Sequence, residues 1–223
     1  CNAGNTFAGK TVKLGTDIKV NIGYATDWEQ NKNIPNNVWI PIGGGPGSAD
    51  VLPFAGTFDG QGHTISGLYF KSSGNYLGLF GILDTKGSSV IRNVSLTNSC
   101  FISTGTWTGV STGLGSIAGS GAGKLDTIYS DAIVISDSAN NAGGLVGTQR
   151  YSDLEVTNCW FDGKVTGINA THLGGIIGQG TSYMDSSTVR NCLVTADVEG
   201  KNCIGAIYGS TYDATIDSCI VDG

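Results

Sequence analysis

Thirty-six of the 223 residues are glycine, only 13% are charged and 4 are proline, while 39% are hydrophobic. Collagen would need glycine at every third position, disorder would need low hydrophobicity, and a helical bundle would carry a glycine cost of about 1 kcal/mol at many interior positions. A net charge of −6, with 12 Lys and Arg scattered singly, argues against nucleic acid as a partner, and no apolar run approaches the roughly 18 residues that cross a bilayer.

Residues 1–75 are the least regular part and are expected to form N-terminal irregular coils, with Gly43-Gly44-Gly45-Pro46-Gly47 as a flexible loop. From residue 76 a block of small and apolar residues closing in glycine recurs. It reads Gly78-Leu79-Phe80-Gly81, Ser116-Ile117-Ala118-Gly119, Gly144-Leu145-Val146-Gly147, Gly175-Ile176-Ile177-Gly178 and Ala206-Ile207-Tyr208-Gly209. The closing glycines are 38, 28, 31 and 31 residues apart. A second block follows each one: Ile91-Arg92-Asn93-Val94, Leu125-Asp126-Thr127-Ile128, Val156-Thr157-Asn158-Cys159, Val189-Arg190-Asn191-Cys192 and Ile216-Asp217-Ser218-Cys219.

A unit of about 30 residues with two or three short apolar runs cannot bury its own hydrophobic face and must stack on its neighbours. The runs are β-branched and alternate with period two, so the class is all-β and the architecture a parallel β-helix, a solenoid of about 30-residue coils. Leucine-rich horseshoes need a leucine and asparagine spacing that is missing, and propeller blades need about 40 to 45 residues. A single domain over 1–223 is expected, with five repeats in 76–223.

The Gly-Leu-Phe-Gly and Gly-Gly-Leu-Val-Gly blocks resemble the GLUG repeat of bacterial surface proteins. Phe7 to Leu14, Asp17-Ile18, Trp39 to Gly43 and Phe54 to Leu68 resemble the segment that often precedes it. The resemblance implies a right-handed parallel β-helix within a long, secreted, multi-module, adhesin-like cell-surface protein, and it implies no catalytic residues.

Residues two apart share a face of a strand. Val94, Ile128, Cys159, Cys192 and Cys219 therefore form one core row, with Leu96, Ser130, Phe161, Val194 and Val221 behind it. The closing glycines Gly81, Gly119, Gly147, Gly178 and Gly209 are structural. The six cysteines are expected to be free, since a stacked core of this size needs no disulfides, although the coil spacing would permit Cys159 to pair with Cys192. No CxxC or Cys/His spacing suggests zinc. Cys1 reads as the point where the chain begins rather than as a lipid anchor.

Between the core rows Ser95, Tyr129, Trp160, Leu193 and Ile220 point outward. Contiguous exposed apolar surface of this kind is a contact surface, either covered by a loop or neighbouring module or offered to a ligand. Two residues further on, Asp131 and Asp162 stack about 4.8 Å apart and would repel without a cation or base between them. They are candidates for calcium or, with Lys164, for a groove of the kind used in polysaccharide chemistry; a solvated turn is the plain alternative, because calcium needs six to eight oxygens. Gly121-Ala122-Gly123-Lys124-Leu125 lacks the remaining phosphate-loop residues and reads as a turn, and neither His63 nor His172 belongs to an H-E-x-x-H motif. His63 reads as a turn-to-strand residue.

Two function classes follow. The first is a non-catalytic cell-surface or extracellular module, an adhesin or rigid display stalk with host glycan or protein, and further modules of its own parent chain, as partners, and with no cofactor. The second is a polysaccharide lyase or glycoside hydrolase, for which Asp131 and Asp162 are the one carboxylate pair near the required separation. Because the last coil would otherwise expose unpaired strands, the chain is expected to be part of something longer or to pair with another copy.

Overall fold

A computed structural model describes residues 1–44, 52–105, 112–137, 141–180 and 186–222. Within them the chain winds as an all-β solenoid of about five turns spaced roughly 31 residues apart. The described pairings are parallel, as they must be when each strand meets its counterpart one turn earlier and one turn later: Val146 pairs with Ala118 before it and Ile177 after it, and Ile177 pairs with Tyr208.

A regular turn crosses three sheets. Asn141–Gly143 lies in one sheet between Gly113–Gly115 and His172–Gly174. Val146–Thr157 lies in the longest sheet beside Ala118–Ser130 and Ile177–Gly180, and Lys164–Gly167 in the third, between Ile133–Ser136 and Asp197–Gly200. The irregular N-terminal coils continue this stack, since Thr11–Lys13 pairs with Thr57–Asp59 and that strand with Val90–Thr97. Residues 45–47 of the glycine-rich loop fall outside the described residues.

Side chains fill the interior in rows. Val94, Ile128, Cys159 and Cys192 are each 2% exposed, and Leu96, Ser130, Phe161 and Val194 are buried behind them. Ser130 tolerates this row because its hydroxyl donates to Ser116 Oγ at 3.0 Å. All six cysteines are free, and burial pushes the Cys159 thiol far above its ordinary pKa, so it stays a neutral packing group. Cys219 is only partly buried and Val221 is exposed, which corrects their reading as core: among the described residues no further turn covers them.

The turns share one bend. Asn93, Thr127, Asn158, Asn191 and Ser218, the third residues of the second block, all sit in the left-handed region with φ between 53° and 56°. This single-residue corner interrupts the strand alternation, so that residues three apart, such as Ile91 and Val94 or Val156 and Cys159, both face the core. A non-glycine residue there costs about 1–2 kcal/mol, least for asparagine, which occupies three of the five corners.

Two expectations are corrected in this part of the molecule. Gly121 to Leu125 is not a turn; it lies inside the strand Ala118–Ser130, where the register shifts so that Gly121 faces Gln149 but Gly123 faces Leu154. The neighbouring strand absorbs the difference by bulging outward. A short helix, Ala25–Glu29, also packs outside the solenoid, with Trp28 fully buried and edge-on to Tyr69 at 6.0 Å. Its Glu29 forms an ion pair with Lys164, which therefore turns to the helix and not to Asp162.

The closing glycines are required by proximity, as Gly147 illustrates. A Cβ built there would stand 2.3 Å from the Leu114 backbone nitrogen and 2.6 Å from the Gly113 carbonyl carbon, neither of which can swing aside. Gly147→Ala is expected to cost about 3 kcal/mol, at the upper end of overpacking, read as a lower denaturant midpoint.

A second expectation concerns acid. Asn141 is buried between turns, its amide donating to the Thr112 carbonyl at 3.1 Å and to Thr148 Oγ1 at 3.3 Å, while its oxygen lies 2.8 Å from His172 Nδ1. Burial lowers the His172 pKa below the ordinary 6.5. A depressed imidazole contributes stability above its unfolded value that is lost as pH falls through the folded one. The melting temperature should therefore drop more steeply below pH 6.5 in the native chain than in His172→Gln.

Candidate functional site

The repeated corner opens a groove on the outside of the solenoid. One wall is the outward ladder: Tyr129 pairs in register with Ser95 and Trp160, Trp160 with Leu193, and Leu193 with Ile220. The opposite edge is the line of left-handed residues. Two adjoining cavities run along it, one of about 690 Å³ bounded by Asp59, Gln61, Asn93, Thr127, Tyr129 and Trp160, the other of about 410 Å³ bounded by Asn191, Cys192, Leu193, Ser218 and Ile220. Asn158 and Trp160 line both, so the groove crosses successive turns without a break.

Its aromatic wall is held in place by hydrogen bonds. Tyr129 and Trp160 meet edge to face with ring centroids 4.9 Å apart. The Trp160 indole N–H donates to Thr195 Oγ1 at 2.8 Å, the Thr195 hydroxyl donates to Asp162 Oδ1, and the Tyr129 hydroxyl donates to Asp162 Oδ2 at 3.4 Å. Partial burial, then the charges of Asp131 and Asp162, raise the Tyr129 pKa, which keeps the phenol protonated as a donor. Trp160 is nonetheless 40% exposed and Ile220 63%, so no loop among the described residues covers the ladder.

The polar edge is built from cross-turn contacts. Asn93 donates to Asp59 at 3.1 Å, and Arg92 forms an ion pair with the same carboxylate at 3.0 Å. The Asn93 amide and the Gln61 backbone N–H, with Arg92, hold Asp59 below the usual carboxylate range. One turn on, Asn158 and Thr157 donate to Asp126; burial pushes this group up, but those hydrogen bonds prevail and its pKa is lowered. Arg190 pairs with Asp217 at 3.0 Å. The two arginines that flank corner residues are thus already neutralised by carboxylates of neighbouring turns.

Tyr129, Trp160, Leu193 and Asp162 come together as the sequence suggested; Asp131 has a different task. Its carboxylate accepts the Asn98 backbone N–H at 2.6 Å, while the Asn98 side chain accepts from the Ala25 N–H and donates to the Gly23 carbonyl. Asp131 thereby anchors the short helix. Burial, reinforced by the Asp162 charge, raises its pKa. With Asp162 engaged by two hydroxyls and Lys164 by Glu29, these carboxylates are occupied by protein partners, and no group of three or more His, Cys, Asp or Glu able to hold a metal ion occurs among the described residues.

Sequence reasoning missed the polar edge, above all Asn93, Asn158 and Asn191. The signal was present as asparagine at the third place of three second blocks, next to a skipped alternation.

Two substitutions separate strain from contact at this edge. Asn158→Ala loses its hydrogen bond and keeps the left-handed strain, with an expected cost of about 2 kcal/mol, while Asn158→Gly should cost about 1 kcal/mol less, compared by denaturant titration. Thr195→Val frees the indole: hydrogen exchange at the Trp160 N–H should accelerate while global stability falls by only about 1 kcal/mol.

No family model matches the chain. Halomucin of Haloquadratum walsbyi is 31% identical over 151 residues, which is 67% of this chain and 2% of Halomucin. The chain thus spans a small fraction of that relative. Among solved structures, a "putative immunoglobulin A1 protease" from Bacteroides ovatus superposes with a TM-score of 0.59 at 22% identity, covering 95% of this chain and 68% of the other. At that identity the likeness is one of fold, and the fold it supports is the β-solenoid described above.

Proposed function

We propose that this chain is a non-catalytic recognition module of an extracellular or cell-surface protein, of the adhesin or display-stalk kind, which holds an extended host glycan or protein in the groove. The observation that carries the reading is Trp160, solvent-exposed yet fixed by Thr195 and Asp162 at the centre of two joined cavities. A rigid aromatic face exposed to water, beside a polar edge, is the chemistry of a ligand platform and serves no purpose in the core. The similarity to a stretch of Halomucin supports the surface setting and the GLUG-like pattern agrees with it.

A second reading, hydrolysis or elimination on a polysaccharide, is favoured by the raised pKa of Asp131 beside Asp162, the usual arrangement for a general acid. It ranks below the first because Asp131 is committed to Asn98 and Asp162 to the aromatic wall.

The two readings part on an array of glycans and extracellular-matrix proteins, probed with calcium and with chelator. The module reading expects binding that is insensitive to chelator and weakened at least about tenfold by Trp160→Ala, with no release of reducing ends or unsaturated products. Product release that disappears in Asp162→Asn would establish the enzyme instead.

A further inference from the structure

We infer that the ligand of this groove is a neutral polysaccharide laid along the solenoid axis, one sugar residue to each turn. The inference rests on reading the groove as a recognition surface and adds its ligand class.

Period comes first. The wall positions Ser95, Tyr129, Trp160, Leu193 and Ile220 are in register across five successive turns, so the surface repeats along the axis every 4.8 Å or so. An extended chain of pyranose rings repeats at a similar distance. Each ring offers an apolar C–H face to the wall and hydroxyls to the opposite edge, which matches what the two sides of the groove provide.

The polar edge fits hydroxyls and not charges. Each corner asparagine keeps a second N–H beyond the one it gives to Asp59, Asp126 or Asn158, and the Thr127 and Ser218 hydroxyls, which donate to Asp126 and Asp217, keep lone pairs that accept from sugar hydroxyls. Arg92 and Arg190 are spent on Asp59 and Asp217, while Asp126 and Asp162 lie along the same surface. A sulfated or uronic acid chain would therefore meet carboxylates without a free guanidinium to answer it.

A peptide strand fits less well. Extended peptides gain affinity by adding to an open sheet edge. Here the strands beside the Thr127, Asn158 and Asn191 corners already pair with the turns before and after, and among the described residues only the strands beside Ser218 lack a following turn; the Leu193 N–H donates to the Cys159 carbonyl and the Ile220 N–H to that of Cys192. Up to the last described turn the groove is a side-chain surface whose flanking strands are paired within the stack.

The test is calorimetric titration of the native chain, Trp160→Ala and Trp160→Phe with neutral oligosaccharides (gluco-, manno-, galacto- and xylo-series, α- and β-linked, two to eight units) and with hexamers of hyaluronan and polygalacturonate. Trp160 is exposed, so its replacement leaves the core intact, and circular dichroism confirms folding. We expect a neutral series to bind, with affinity rising up to about five units and then levelling, a loss of about tenfold or more in Trp160→Ala, and retention in Trp160→Phe. Tighter binding of the anionic hexamers, affinity indifferent to length, or no binding by any neutral series overturns the inference. If a protein on the array still binds in a Trp160-dependent way, the recognition reading survives that result; if nothing depends on Trp160, both fall.

Discussion

A parallel stack demands that whatever the backbone does in one turn it does again at the same place in the next. Hydrogen bonds between turns run along the axis, so a bend in one turn that is absent from its neighbour would leave donors and acceptors unpaired in the interior. The left-handed corner meets that demand. Its φ values agree within 3° over five turns although five different sequences surround it. The core rows, the outer ladder and the groove all follow from it, because the corner decides which residues turn inward and where the outer surface becomes concave.

This constraint explains which parts of the molecule were legible in advance. Rows of residues one turn apart are a local pattern repeated, so the core position shared by Val94, Ile128, Cys159 and Cys192, and the outward position shared by Tyr129, Trp160 and Leu193, could be read by aligning the second blocks. The corner itself was half-visible. Asparagine is frequent in turns for several reasons, and Thr127 and Ser218 hide the pattern by adopting the same φ with less suitable side chains.

What escaped the sequence were contacts between segments with no common period. Lys164 looked like a neighbour of Asp162 because two residues separate them, yet its partner Glu29 lies 135 residues away on a helix outside the repeat. Asp131 occupies the same row as Asp162 and was assigned the same task, but it holds Asn98 of the preceding turn, which in turn ties down the start of the helix, and so takes a structural role. The glycines near Gly121 looked like a turn because glycine pairs usually are one; within a stacked strand they mark a change of register. The repeat thus dictates the frame, and the exceptions to it are where tertiary contacts outside the stack have taken hold.

The register change beside Gly121 has a consequence for how such a chain varies over time. Between Gln149 and Leu154 the strand leaves the ladder and returns to it, with Arg150 lying over the ring of Tyr151 at 4.0 Å, and every pairing beyond that point is undisturbed. Residues gained or lost in the bulge are absorbed on the surface, whereas a single residue gained at the corner would reverse the facing of all that follows in its turn. Length polymorphism is accordingly cheap at one point on the circumference and forbidden at another, and the groove wall can keep its spacing while the turns that build it diverge.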